Sequence, residues 1–156
     1  MYQRSKMQAR ALDNLARYTE HYYNGQRVTK GYVLSQILSK YDIHTFDKER
    51  LLEAIELSDV KEEGPGTPVN FNISYEANKH LVQLKQRLDS IAGRSFFPAQ
   101  VIDILLIYAT EDLGHEETRK EIEYSIDSIR IEAISLILNA SANTLVDIIN
   151  ILKEGN

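Results

Sequence analysis

Residues 68–109 read PVNFNISYEANKHLVQLKQRLDSIAGRSFFPAQVIDILLIYA, and their reading decides the fold. Val69, Phe71 and Ile73 are apolar, and Asn70, Asn72 and Ser74 alternate with them. This is the two-residue period of a half-buried strand. Without a break the period turns helical, through Ala77, Leu81, Leu84, Leu88 and Ile91. Gly93 interrupts, and a second apolar helical run starts at Pro98. A lone strand leaves its backbone donors and acceptors without partners. The strand over residues 69–74 therefore needs a second strand, from its own chain or from another copy.

Working upstream, Val60 to Thr67 (VKEEGPGT) is a linker, because Gly64-Pro65-Gly66 continues neither helix nor strand. Residues 1–60 predict three helices: Gln8 to Tyr23, one capped by Thr29, and Phe46 to Leu57. Asn24-Gly25 reads as the stop of the first. Downstream, Glu111 to Glu117 reads as a polar break around Gly114. A helix follows from Arg119, with Ile122, Ile126, Ile129, Ala133, Leu136 and Ala140 spaced as a heptad seam. Asn139 to Asn143 then punctuates before a last helix, so a C-terminal helical hairpin is expected.

The two ends of this layout repeat weakly. TKGYVLSQIL at 29–38 aligns with FPAQVIDILL at 97–106, pairing Val33 with Val101, Leu34 with Ile102 and Leu38 with Leu106. The turn Asn24-Gly25 aligns with Ala92-Gly93. Two unrelated helical hairpins of similar spacing explain the match as well.

With 156 residues the chain suits one compact domain or two small ones. It has no cysteine, which excludes disulfides, thiolate metal sites and cysteine nucleophiles. No apolar run is read as membrane-spanning and the start carries no apolar signal core, so no membrane partner and a cytoplasmic location are expected. The formal net charge of −5 argues against nonspecific nucleic-acid binding, but its distribution matters more. Residues 1–41 hold seven basic and two acidic side chains, whereas 110–156 hold four and ten.

Enzymatic chemistry finds no footing. His21, His44, His80 and His115 lack metal-ligand spacing, and Asp112, His115 and Glu116 read as polar loop. No phosphate-binding glycine loop is present and no carboxylate stands alone on an apolar face. No catalytic residue, metal or cofactor is expected. The tyrosines Tyr18, Tyr22, Tyr23 and Tyr32 beside Arg17 and Arg27 suit packing better than base stacking.

The strand–helix–turn–helix order resembles the ribbon-helix-helix family of DNA-binding proteins. The resemblance covers 69–109 well and residues 1–60 in degenerate form, with 61–68 as linker and 110–156 as an acidic helical region. It implies a mainly α fold with one short β-ribbon whose exposed face enters the major groove of double-stranded DNA. Asn70 and Asn72 would read bases, Arg4 and Lys6 would lie on a first strand, and Thr29 and Lys30 would hold phosphate at a helix start. Arg94 and Ser95 would serve in the second half. Phe96, Phe97 and Pro98 depart there from the small and basic residues of the pattern. If both halves are genuine, one chain holds both strands, as in tandem members that assist conjugative relaxases. Repressors and plasmid-partition adaptors share the fold. If only the second half is genuine, the resemblance implies that two chains pair through residues 69–74. The heptad seam adds a homo-oligomer contact through 119–152, and the acidic C-terminal region could take a protein partner. The alternative is an α-helical protein–protein adaptor without DNA binding.

Overall fold

A computed structural model of the chain describes residues 2–154, with the side chains of Tyr2, Gln3, Arg4, Ala140, Ser141 and Leu145 outside the description. The chain divides into two compact units, residues 1–114 and 115–156. The elements are β1 (Tyr2–Met7), α1 (Ala9–Tyr23), α2 (Lys30–Lys40), α3 (Lys48–Asp59), β2 (Thr67–Asn72), α4 (Tyr75–Ala92) and α5 (Pro98–Glu154). The molecule is mainly helical with one short two-stranded antiparallel sheet.

The partner of the decisive strand is β1 of the same chain. Tyr2 faces Asn72, Arg4 faces Asn70 and Lys6 faces Pro68. Of the two alternatives for its partner, own chain or another copy, the ladder along one edge of β2 is made within the chain. β2 spans Thr67–Asn72 rather than 69–74. Ser74 leaves the strand because its side chain accepts from the Ala77 N–H and caps α4. Two residues assigned to the linker, Thr67 and Pro68, are already strand. Pro68 is tolerated because each strand of a two-stranded ribbon keeps one open edge.

The ribbon has a local two-fold symmetry. Gln8 and Ser74 are the N-cap residues of α1 and α4. Arg4 and Asn70 each stand four residues before their cap, and they face each other. The axis therefore passes between them, and β1–α1–α2 is related to β2–α4–α5. The aligned pairs Val33 and Val101, Leu34 and Ile102, Leu38 and Leu106 are all buried. Gly25 and Gly93 take positive φ, 75° and 65°, where a side chain is disfavoured.

One apolar core fills residues 2–114. Phe71, Val69 and Ile73 enter it from the second half, and Met7 from β1. Val101 to Thr110 of α5 are buried at every position, as expected of a helix apolar on all sides. α3 has no counterpart in the second half. Phe46, just before it, packs on Tyr41 and Tyr108 with ring centroids 5.3 and 5.0 Å apart. Arg87 of α4 donates to the Ile43 and Phe46 carbonyls and fixes this connection.

The expected break at 111–117 and the expected C-terminal hairpin are both absent. α5 continues through Gly114 and through 139–143 to Glu154. Asp112 is a helix anchor: it accepts from the Tyr41 hydroxyl at 2.6 Å and pairs with Arg50 at 2.6 Å. A single helical glycine costs only about 1 kcal/mol, and Asn, Ser and Ala do not force a stop. An 18-residue stretch of α5, of mean hydropathy 1.4, is long and apolar enough to cross a membrane by length and composition. The isolated Asn139 and Asn143 had hidden that stretch from a reading of uninterrupted runs.

Candidate nucleic-acid interface

The ribbon presents one face to the core and one to solvent. Ser5, Met7, Val69 and Phe71 point inward, while Lys6, Pro68, Asn70 and Asn72 are exposed. Alternation of this kind follows from the pleat, since successive side chains leave opposite faces. Asn70 and Asn72 thus stand two residues apart on the open face, with amides that both donate and accept. The backbone of Arg4 lies opposite Asn70, and its side chain is outside the described residues.

Each end of the ribbon meets a helix start. At one end, α2 approaches β2 so closely that a Cβ on Gly31 would lie 2.3 Å from the Asn72 carbonyl oxygen. Gly31 is the only residue type that permits this approach without a shift. Thr29 and Lys30 therefore sit beside Asn72, and both are exposed. The Thr29 hydroxyl accepts from the Tyr32 N–H at 3.1 Å. Ser35 ties the same corner together: it donates to the Gly31 carbonyl at 2.9 Å and accepts from the Ser74 N–H at 3.2 Å. The first N–H groups of a helix have no intrahelical partner and form a positive pole, which suits a phosphate.

The other end is chemically different. Lys6 shares a concavity with Arg94, Ala99 and Gln100 at the start of α5, and with Lys61, Asp59 and Glu62. Arg94 pairs with Asp59 and stacks over Phe96, 4.6 Å from its centroid. The Asp59 carboxylate holds the Arg94 guanidinium still more firmly charged. Ser95 accepts from Lys85 at 3.2 Å. The Phe97 N–H donates to Gln100 Oε1 at 3.0 Å, and Pro98 contributes no N–H. Carboxylates and a satisfied helix start make this end the poorer phosphate site.

Of the residues singled out in the sequence, Asn72, Thr29 and Lys30 come together at one end of the ribbon, with Asn70 two residues along its open face at the centre. Lys6, Arg94 and Ser95 belong to the opposite end. Lys61 escaped the sequence reading, because it lies in a glycine-rich, net acidic stretch that carries no motif. Compared with protein-family models, curated proteins and solved structures, the chain finds no match.

Proposed function

We propose that residues 2–114 form a ribbon-helix-helix unit, complete within one chain, that binds double-stranded DNA through the exposed face of its ribbon. The observation that carries this reading is the corner where Asn72 of β2 abuts the start of α2, with Asn70 and Lys6 on the same open face. Asn70 and Asn72 supply paired donors and acceptors for adenine edges in the major groove. Thr29, Lys30 and the first amides of α2 clamp a backbone phosphate and set the register. Because β1 carries Lys6 where β2 carries Asn72, the two strands present different residues to the two half-sites. The recognised sequence is accordingly asymmetric.

Selection from a pool of random duplexes tests this. Enrichment of one short, non-palindromic sequence supports the reading. A pool without enrichment, together with no retention on DNA at low salt, refutes it. Such a protein would regulate transcription or serve plasmid partition or relaxosome assembly in the cytoplasm.

A further inference from the structure

Along residues 115–154 the described large apolar side chains lie in the open. Among the described residues of this segment fourteen such side chains are exposed, from Ile126 at 43% to Tyr124 at 77%. Monomeric soluble proteins rarely expose apolar patches beyond a few hundred Å². At on the order of 80 Å² for each side chain, the segment offers roughly 1,000 Å² per chain. A standard specific interface needs about 800 Å² from each partner.

The pattern of this surface says what covers it. Ile122, Ile126, Ile129, Ala133 and Leu136 recur at four- and three-residue steps, the seam by which helices of one kind pack on one another. A second stripe through Ile131, Ile134, Leu138, Ile148 and Leu152 starts about 180° round the helix from Ile122 and drifts to about 100° at its end, at 100° per residue. Charges beside the first seam are matched within their own helix: Arg119 pairs with Glu123 at 3.2 Å and Arg130 with Asp127 at 3.6 Å. The segment therefore presents self-complementary apolar stripes, and with four basic against eight acidic side chains it is the stripes and not the charge that would draw copies together.

We propose that further copies of this chain cover residues 119–152, forming a helical bundle through these two stripes. This stands apart from the DNA reading and survives its failure. A bilayer is the weaker occupant. The twenty residues between Glu132 and Lys153 reach about 30 Å at 1.5 Å per residue, about the hydrocarbon thickness, but they would take the charge of Asp147 into it. Asn139 and Asn143 fall in its middle.

Light scattering of the full chain, coupled to size exclusion, is the test. A mass of two or more times 17.9 kDa is expected. Ile129→Glu on the first stripe and Ile148→Glu on the second should each lower that mass, whereas Asp127→Asn should leave it unchanged. A monomeric mass for the unaltered chain overturns the proposal. So does sedimentation of a monomeric chain with phosphatidylcholine–phosphatidylglycerol vesicles, and so does equal loss of mass in Asp127→Asn.

Discussion

Gly31 lies against the backbone of Asn72, so closely that an added methyl would sit 2.3 Å from the carbonyl oxygen and 2.7 Å from the nitrogen. Both neighbours are backbone, and neither can rotate away. Gly31→Ala is expected to destabilise the fold by about 1–3 kcal/mol, the usual cost of overpacking. Urea unfolding followed by circular dichroism measures it. An unchanged midpoint would mean that α2 and β2 do not meet as described. At the aligned position the second half has Ala99, whose methyl is already accommodated.

Asp89 gives the fold an acid limb. Its carboxylate is held below the usual range, first by the hydrogen bond from Lys85 and then by the Phe96 N–H at 2.9 Å. A carboxylate depressed in the folded state contributes stability that is present above its unfolded pKa, about 3.8, and is lost as pH falls through the folded value. Asp89→Asn should flatten the fall in stability below about pH 4. Identical acid limbs in the two proteins would contradict the assignment.

Asp112 distinguishes a helix anchor from a loop residue. It accepts from Tyr41 and pairs with Arg50, whose guanidinium also lies 4.1 Å from the Tyr108 ring centroid. Burial, and then the bond to Asp112, push the Tyr41 hydroxyl well above its ordinary value. Asp112→Ala should cost about 1.5–3 kcal/mol, the range for hydrogen bonds to a charged group. In an unfolding titration, a loss within about 0.5 kcal/mol would fit a surface loop instead.

The parts of the fold legible in the sequence were those governed by local chemistry. Thr29 caps its helix through its own hydroxyl, and Gly25 and Gly93 turn the chain where only a positive φ serves. Alternation at Val69 and Phe71 placed the ribbon's inner face. β1 was obscure because Ser5 is polar yet buried, and only pairing with Val69 makes it strand. The continuity of α5 was obscure because residues 111–117 are polar for tertiary reasons, Asp112 meeting Tyr41 and Arg50 from distant parts of the chain. Phe96, Phe97 and Pro98 already set the two ends of the ribbon apart in the sequence, but the ion pair at the second end did not show there. Asp59 reaches Arg94 across thirty-five positions.

Lys30 is assigned to a phosphate, which carries no sequence information. Lys30→Ala should weaken binding about equally for selected and unrelated duplexes and reduce the salt slope by about one. Fluorescence anisotropy at several salt concentrations reads both quantities. A loss confined to the selected duplex would place Lys30 on a base instead.

The most direct measurement is the affinity of Asn70→Ala/Asn72→Ala for a selected duplex against an unrelated one. Both side chains are exposed and uninvolved in the core, so the variant should unfold at the unaltered protein's midpoint. A base contact of this kind is worth about 1–3 kcal/mol. The double variant should lose about thirty-fold or more for the selected duplex and stay within about two-fold for the unrelated one. Unchanged discrimination between the two duplexes would contradict the claim that this ribbon reads DNA.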